Sequence, residues 1–572
     1  MEQQGEKKIS LRWHYLYLGI MVISLLIFLG TTTSWSQTPT PTDNEELRRR
    51  NLQEEIERKE REKAKDVFLQ SSEKADEDTS LPVEEPAFLI SSLQLEGEKV
   101  EKFSWVQRYL DKYAGRVMGK EGINIIIKRL TNQLIERGYV TTRIAIPEQD
   151  LSQGNLKLIL IPGLIREIYL ADGGPDYNWR GAFPVRAGDI LNIRDLEQGL
   201  EQMKRVPSQD VDMQIVPGEK LGESDVIITV KRDKNWRLSL SLDNAGSKPT
   251  GKLQASTTLS LDNLLGINDI FYVTLNSDAD ANGEMKGTRG HNIYYSFPYG
   301  YWTFALIKER YKYHQTVQGI SQKFIYSGEG DTEELRIQRL LQRDQTSKTN
   351  LQFRLIKKHS KSFIDDTEIE VQKKNLTAVE VALIKRQYRG KAIIDWDLAY
   401  KRGVPWFGAQ PDIERTSPDL PTTRYSIWTL DGSITTPVML GSKQGRYSFN
   451  FRAQTTKNVL YAADFFSIGN RYTVRGFDGE QTLAAEKGWL VRNELAVPFS
   501  PGQEIYLGID HGEVGGPSSK WLIGKSLTGG ALGMRGGDNR FYYDFFVSCP
   551  LDKPKGYRTA KNYLGFQLSC QY

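Results

Sequence analysis

The chain has 572 residues, which is enough for several domains. Its 76 basic and 72 acidic residues give a formal net charge of +4 at pH 7, a near balance that predicts no nucleic-acid partner. The mean hydropathy of −0.49 argues against a bundle of transmembrane helices. It is compatible with a transmembrane β-barrel, whose strands place every second residue on a polar lumen. With two cysteines and no CxxC or HExxH motif, the sequence predicts no metal site and no cofactor.

The N-terminus has the three parts of a secretory signal peptide. Basic residues as far as Arg12 precede the apolar run of residues 16–30, and small residues follow at Ser34 and Ser36. The alternative is a permanent membrane anchor, but the run has about 15 residues, whereas a spanning helix needs about 20. We therefore expect residues 1–36 to be removed on export, which leaves a mature protein outside the cytoplasm.

Residues 43–66 are dense in charge, and their larger apolar side chains are Leu47, Leu52 and Ile56. Three glutamates stand four positions before a basic residue, an order that supports a helix, and the pairs are Glu54/Arg58, Glu55/Lys59 and Glu57/Arg61. No ordinary core would bury such a helix. It is either a solvated spacer or a plug that lodges in a polar, water-filled space. Residues 67–86 are acidic and polar with two prolines, and predict a linker.

Two small α+β domains are predicted next, at residues 87–163 and 164–232. The first contains a strand at 88–97, helices around 105–113 and 123–134, and strands at 139–146 and 155–161. The second contains a strand at 164–171, a helix capped by Asn192, and strands at 211–218 and 224–230. Both are interpreted as one β-α-α-β-β unit, repeated. A sheet edge in such a unit can accept an extended peptide as an extra strand, and the alternative is a pair of rigid spacers.

Residues 236–572 alternate between polar and apolar side chains with period two, which is typical of strands with one apolar face. At the C-terminus, Leu564 and Phe566 share one face, and polar or small residues lie between them. This pattern, with no second sheet to pack on, predicts a transmembrane barrel of 16 antiparallel strands rather than a soluble β-sandwich or propeller. Cys549 and Cys570 fall at opposite ends of the last predicted hairpin, too far apart for a disulfide.

Several short motifs resemble the outer-membrane transporters of two-partner secretion, of the filamentous-haemagglutinin and haemolysin type. They are YVTTR at 139–143, PEQDL at 147–151, LNIRDLEQGLEQ at 191–202, VPG at 216–218 with GESDV at 222–226, and VRGF at 474–477. Each motif alone is weak, but their order and spacing together are specific. The resemblance covers nearly the whole mature chain. It implies two polypeptide-transport-associated (POTRA) domains and a 16-stranded barrel.

The resemblance also gives a role to an arginine in the C-terminal half. In the wider superfamily that includes the barrel-assembly protein BamA, a long loop folds back into the barrel lumen and carries an arginine motif at its tip. An acidic residue in a Gly-x-Asp-x-Gly setting on the wall pairs with that arginine. The matching loop residues are Val474, Arg475, Gly476 and Phe477, and the matching wall residues are Gly508, Asp510 and Gly512. Period two places the three wall residues on one face, so the glycines would leave room for the guanidinium. The pair is either a clamp that holds the loop or a latch that breaks during transport.

The implied function is that of an outer-membrane translocase, not an enzyme, with its POTRA domains in the periplasm. It would recognise a large β-helical exoprotein (an adhesin, haemolysin or contact-dependent toxin) by the N-terminal secretion domain of that partner, and export it without ATP. Further expected partners are outer-membrane lipid and the barrel-assembly machinery during biogenesis. A monomer is expected.

Three alternative functions fit the sequence less well than a translocase. An outer-membrane protein insertase of the BamA-like superfamily would share the arginine motif, but such proteins generally carry more periplasmic repeats. A passive porin has no need of two periplasmic modules. An enzyme inside a barrel would need a catalytic cluster, and Asp510 and His511 are adjacent in a strand, so their side chains point to opposite faces.

Overall fold

The structure, a computed structural model, describes residues 39–63, 66–68, 78–171, 178–280, 283, 285–319, 322–412, 420–538 and 540–572. The predicted signal peptide, residues 1–36, lies outside the described residues. The described part of the chain has four α-helices: α1 (Pro41–Lys63), α2 (Ser104–Leu110), α3 (Lys120–Glu136) and α4 (Ile193–Lys204). None of these helices is both long and apolar enough to cross a membrane.

Helix α1 begins two residues before the predicted position, because a capping box precedes it. Asp43 Oδ2 accepts a hydrogen bond from Thr40 N at 3.0 Å, and Thr40 Oγ1 accepts one from Asp43 N at 3.2 Å. Pro41 stands at the first helical position, where its missing N–H and fixed φ carry no penalty. These local contacts fix the start of a helix that has almost no apolar stripe.

The first α+β unit contains β1 (Ala87–Ile90), β2 (Ser92–Gly97), β3 (Arg116–Gly119), β4 (Arg143–Ala145) and β5 (Asn155–Ile161). Strand β5 pairs in parallel with β2 and antiparallel with β4, whereas β1 pairs with β3. The single strand predicted at 88–97 is therefore wrong in detail. The N–H groups of Ser91 and Ser92 both donate to Gly154 O, at 2.7 and 3.2 Å, which bends the chain between the two strands.

The second unit contains β6 (Leu164–Leu170), β7 (Gln209–Pro217) and β8 (Glu223–Arg232), in the sheet order β6-β8-β7. Asn192 caps α4 as expected, since its side chain accepts a hydrogen bond from Arg194 N at 2.9 Å. Among the described residues this unit has three strands where the first has five, and one α-helix where the first has two. Where a first helix was expected, the described residues contain a single 3-10 turn at Trp179–Gly181. Phe183, just after that turn, fills the space against Gly199 of α4, where any Cβ would clash with its ring.

Sixteen antiparallel strands close into a barrel within the described residues, through pairing of the last strand with the first. The first half comprises β9 (Trp236–Asp243), β10 (Gln254–Asp262), β11 (Ile270–Asp278), β12 (Lys286–Tyr299), β13 (Trp302–Gln318), β14 (Lys323–Arg343), β15 (Ser347–Ile364) and β17 (Lys374–Arg389). The second half comprises β18 (Ala392–Val404), β19 (Ser426–Leu440), β20 (Lys443–Thr456), β23 (Lys487–Ser500), β24 (Gln503–Gly515), β25 (Ser526–Gly537), β26 (Phe541–Asp552) and β27 (Tyr563–Gln571). Strand β16 (Thr367–Glu368) pairs antiparallel with the end of β15, and β21 (Phe466–Ile468) pairs with β22 (Leu483–Ala485) in a loop.

The barrel strands show the predicted alternation of faces. In β26, Phe545 and Val547 are exposed, whereas Phe546 and Ser548 between and beside them are buried. Cys549 pairs in register with Gly530 and Cys570 with Phe541, so the two thiols lie at opposite ends of the last hairpin and are free.

Candidate functional site in the barrel lumen

Helix α1 lies inside the barrel, and its first turn contacts four strands, one of them through Tyr326 OH of β14 at 3.4 Å from Thr42 Oγ1. Thr42 Oγ1 lies 2.7 Å from Tyr313 OH of β13 and 2.6 Å from Ser362 Oγ of β15, and Asp43 forms an ion pair with Lys374 of β17. The next turn buries Leu47, which is 3% exposed in an apolar cluster of wall and loop residues. The lumen of the barrel therefore supplies the hydrogen bonds and ion pairs that the polar side chains of α1 would not find in an apolar protein core.

Ion pairs between glutamates of α1 and arginines of the wall hold the middle of the helix. The pairs are Glu54–Arg452, Glu55–Arg492 at 3.2 Å and Glu57–Arg336 at 2.7 Å. Of the intrahelical partners expected from sequence, Lys59 lies 3.8 Å from Glu55, whereas Arg61 reaches Asp397 of β18 at 3.2 Å. A lumen lined with opposite charges thus competes with the i,i+4 pairs that would form in water.

A cavity of about 230 Å³, whose lining includes many charged side chains, remains beside α1. Its walls include Glu46 and Arg49 of the helix together with Glu309, Arg354 and Lys401 of the barrel. Such a space has the volume and the polar partners to hold water. The helix accordingly occupies the lumen without the close apolar packing of a protein core.

The loop between β20 and β23 folds into the lumen and builds an apolar cluster there with β23, β24 and β25. Val474 and Phe477 are 0% and 1% exposed within it, and the Phe477 ring meets Tyr557 edge to face at 5.6 Å between centroids. Gly476 has φ of +113°, and a Cβ there would lie 2.6 Å from Cys549 O. A side chain at this position would be strained and would clash, so the tip of the loop requires glycine.

The structure brings Arg475 and Asp510 together. Arg475 Nε and Nη2 donate to Asp510 Oδ2 and Oδ1 at 2.7 and 2.8 Å, and Arg475 N donates to Oδ2 at 3.0 Å. Arg475 is 5% exposed and Asp510 1%. A planar guanidinium that bonds both carboxylate oxygens forms one of the stronger polar contacts in proteins. Because the pair is buried, loss of either partner would leave an uncompensated charge.

The two glycines predicted on the barrel wall make room for different parts of the loop. A Cβ on Gly508 would lie 2.4 Å from Arg475 Nη2 and 2.6 Å from its Cζ, so Gly508 makes room for the guanidinium as expected. Gly512 instead faces Val474 and Ile468, each of which would lie 3.0 Å from an added Cβ. The expectation that both glycines flank the guanidinium is therefore corrected: Gly512 admits the apolar part of the loop.

Sequence reasoning missed a second acid. Glu494 Oε2 accepts from Arg475 Nη1 at 2.5 Å, and its other oxygen accepts from Arg535, which also bonds Glu504 at 2.6 Å. In the sheet, Glu494 pairs in register with Gly508 of β24. The available signal was charge on alternate residues of an otherwise apolar strand. It could not be used without knowing the register of β23 against β24.

Arg492 joins the helix to the loop. Its Nη1 bonds Glu55 of α1 at 3.2 Å and donates to Tyr472 O of the loop at 3.1 Å, while its Nε lies 3.7 Å from Asp510 Oδ2. One guanidinium of the wall therefore contacts helix α1, the loop backbone and the acid that binds Arg475.

Helix α4 of the second unit and the residue that follows it contact the barrel at β12 and at the turn after β12. Tyr301 OH donates to Asp195 Oδ1 of α4 at 2.6 Å, and Arg205 Nη1 donates to Ser296 Oγ at 2.8 Å. Burial raises the pKa of Asp195 above its ordinary value, because the contact removes the carboxyl from water. These contacts fix the orientation of α4 against the barrel entrance.

Comparison with known proteins gives matches over nearly the whole described chain. The family described as haemolysin secretion/activation protein ShlB/FhaC/HecB matches residues 222–536, a ShlB-type POTRA domain matches 88–163, and a POTRA domain matches 164–217. The outer membrane transporter CdiB-2 of Burkholderia pseudomallei is 40% identical over 512 residues, covering 86% of this chain and 88% of the relative. The hemolysin transporter protein ShlB of Serratia marcescens is 27% identical, covering 72% and 73%. The solved structure of CdiB from Acinetobacter baumannii has a TM-score of 0.85 at 28% identity and covers 94% of this chain and all of that one.

A closed 16-stranded barrel that follows two POTRA domains defines a protein-transporting barrel of the bacterial outer membrane, with its POTRA domains in the periplasm. The chain belongs to the haemolysin secretion/activation family ShlB/FhaC/HecB, and it is an outer-membrane transporter of two-partner secretion whose partner is a secreted exoprotein. The family match and the CdiB and ShlB relatives favour this function over the insertase alternative.

Proposed function

We propose that α1 closes the barrel at rest and leaves it to admit the exported chain. The observation that carries this proposal is that helix α1 bridges the lumen. Its Glu57 bonds Arg336 of β14 and its Glu55 bonds Arg492 of β23, and five other barrel strands lie between β14 and β23 along the wall. A helix bound at points so far apart around the wall obstructs the passage between them.

Conductance in planar lipid bilayers tests the plug. Deletion of residues 43–65 should raise the single-channel conductance, because the lumen would then be open to ions. The pair Glu54→Gln with Glu57→Gln, which removes two bonds to the wall, should raise the frequency of opening. Glu62→Gln is the matched control, since Glu62 pairs with Arg58 of the same helix. If the deletion leaves conductance unchanged, α1 does not close the channel.

The exported protein would be captured in the periplasm through its N-terminal secretion domain by strand addition. Strand β7 lies at an edge of the β6-β8-β7 sheet, and such an edge offers N–H and C=O groups to an extended segment. We infer that folding of the β-helical cargo outside the cell gives export its direction without ATP, and that the chain has no enzymatic activity. The cargo is an adhesin, a haemolysin or a contact-dependent toxin.

The domain assignment that accompanies this function is a plug at residues 43–66, a linker at 67–86, POTRA domains at 87–163 and 164–232, and a barrel at 236–572. The barrel would act as a monomer in contact with lipid through the apolar outer face of its strands. The barrel-assembly machinery would insert it into the outer membrane during biogenesis.

We infer that Arg475 and Asp510 clamp the loop in the lumen. Glu494 strengthens the clamp, because it gives the same guanidinium a second carboxylate. The alternative is a latch that breaks in each transport cycle. The two roles differ in what a charge-exchanged pair would restore, because a clamp needs only the contact, whereas a latch has further requirements.

A further inference from the structure

Residues 66–68, just beyond α1, lie in a cleft between α4 and the periplasmic ends of the barrel strands. Val67 is 8% exposed and packs with the apolar core of the second POTRA domain. Its N–H donates to Glu201 Oε2 of α4 at 3.3 Å, and its carbonyl oxygen accepts from Arg343 of β14. The backbone and side chain of one residue thus join the POTRA domain to the barrel.

Charged and aromatic groups of the barrel hold the residues on either side of Val67. Asp66 forms an ion pair with Lys348, accepts a hydrogen bond from Tyr388 OH, and has Oδ2 at 3.4 Å from Arg386 Nη1. The ring of Phe68 meets that of Tyr388 edge to face, with 5.2 Å between centroids. The carboxylate of Asp66 therefore lies among cationic groups, and the side chains of Val67 and Phe68 lie against apolar and aromatic groups.

The cleft has ion pairs of its own that do not involve this segment. Glu201 bonds Lys348 at 2.6 Å and Arg343 at 3.0 Å, and Asp395 bonds Arg386 at 2.7 Å. Each cation that binds residues 66–68 accordingly keeps a second carboxylate when the segment leaves. The cleft can therefore persist unoccupied without leaving a bare buried charge.

The contacts at the cleft are tied to those of the helix. Arg386 Nη2 donates to Arg61 O in the last turn of α1, and the same guanidinium is beside Asp66. Only two residues separate Lys63, the end of α1, from Asp66. Release of residues 66–68 removes one end of the helix from its anchor.

We propose that this cleft is a peptide-binding site whose resting ligand is the segment Asp66-Val67-Phe68, and that this segment is a second lock on the plug. The ligand chemistry is a carboxylate followed by two apolar side chains. An exported protein that presents the same chemistry from the periplasm would displace the internal segment and free α1. The inference rests on the proposed plugging role of α1.

The first test changes the segment and leaves the helix intact. Asp66→Asn with Val67→Ser, and separately Tyr388→Phe in the cleft, should raise the open probability of the full-length channel in planar bilayers, the double variant by about tenfold for the loss of a charged hydrogen-bonded contact. Asp78→Asn is the matched control, because Asp78 lies in the same linker but pairs with Arg129 of the first POTRA domain at 3.0 Å. Resistance of the barrel to trypsin shows that each variant is folded.

The second test distinguishes the internal ligand from an external one. A synthetic peptide with the sequence of residues 64–71 is added to the periplasmic side of the wild-type channel, and a peptide with lysine in place of Asp66 serves as control. Openings that rise with the first peptide alone support a site that accepts an external ligand. No response to either peptide, with an open double variant, overturns the external ligand and leaves the internal lock.

The experiments distinguish a wrong proposal for the cleft from a wrong proposal for the plugging role of α1. If deletion of residues 43–65 raises conductance and both the double variant and Tyr388→Phe behave like Asp78→Asn, the cleft is no lock although α1 is a plug. If the deletion itself has no effect, the plug proposal fails first.

Discussion

Arg475 has two carboxylate partners, Asp510 and Glu494, and all three side chains are largely removed from water. Arginine is suited to this place because its planar fork bonds both oxygens of Asp510 while a third nitrogen reaches Glu494. Lysine would keep the charge but lose the bidentate contact. The exchange Arg475→Lys is therefore not conservative here.

Exchange of the two charges tests the pairing. Arg475→Asp alone should expose the loop of residues 457–486 to protease and abolish secretion, because it places a second acid beside Asp510 and Glu494. The single change should destabilise the loop by about 3 kcal/mol, within the range for breaking a buried pair. Secretion of the partner protein and protease protection of the loop are measured together.

Arg475→Asp combined with Asp510→Arg then gives the decisive comparison. Recovery of both protection and secretion supports a clamp, because the restored contact is enough. Recovery of protection without secretion supports a latch with further requirements. Both variants are also made with Glu494→Gln, because an aspartate at position 475 would otherwise lie beside a second acid. Recovery of neither in that background would contradict direct pairing.

At the scale of residues, the contact between Arg475 and Asp510 could be predicted because each of the two residues lies in a recognisable short motif. The spacing of Gly508, Asp510 and Gly512 on one face was readable from period two, and the structure places Asp510 against Arg475. Glu494 was not readable, because its position opposite Gly508 depends on strand register. Register is set by pairing of segments distant in sequence, and no local pattern reports it.

At the scale of elements, α3 is capped by a residue of the linker. The carboxylate of Glu84 accepts hydrogen bonds from the N–H groups of Gly119, Glu121 and Gly122 at 2.7–2.8 Å. These are donors that the first turn of a helix leaves without partners, and the negative charge also suits the helix N-terminus. A segment predicted to be only a linker thus stabilises the first POTRA domain.

Glu84→Gln should loosen the first turn of α3, which hydrogen exchange of residues 119–123 would report. Partial burial acts against the charge, but the three N–H groups outweigh it and hold the pKa of Glu84 below its usual value. The stabilisation is therefore complete above the ordinary glutamate pKa, about 4.3, and is lost as pH falls through the lowered value. Glu85→Gln, at the exposed neighbour, should leave exchange unchanged. Equal exchange in the two variants would show that the cap contributes nothing.

Local sequence pattern predicted most elements, and its errors have physical causes. Strong periodicity placed α3 and α4, and Asn192 marked the start of α4. The strand predicted at 88–97 is split because Ser91 and Ser92 share Gly154 O, a contact between segments more than 60 residues apart in sequence. The first helix of the second POTRA domain was inferred from the repeat rather than from residues, and a 3-10 turn with Phe183 takes its place.

At the scale of the whole molecule, the charges of α1 and those of the lumen are complementary. A helix with few apolar residues is stable here because wall arginines replace the partners that its glutamates would find in water. The sequence indicated a helix that needed a polar container, but not which strands would contribute the arginines, since that again depends on register and closure.

Salt should favour the open channel. The Debye length falls from about 10 Å at 0.1 M to about 3 Å at 1 M, so high salt weakens ion pairs that water can reach. Open probability of the wild type, after correction for bulk conductivity, should rise between these two concentrations. The variant that lacks residues 43–65 should show no such rise. A wild-type channel insensitive to salt would indicate that packing, rather than charge, retains the helix.

Arg492 has a thermodynamic consequence of its own. One guanidinium contacts Glu55 of the helix and the backbone of Tyr472 in the loop, and it lies near Asp510. The binding of the helix and the position of the loop are therefore energetically coupled through Arg492. Coupling of this kind is reciprocal: if the contact of the loop with Arg492 changes the affinity of the lumen for the helix by some factor, binding of the helix changes the stability of the loop contact by the same factor. A change in the position of the loop can thereby alter the binding of α1 through the single side chain of Arg492.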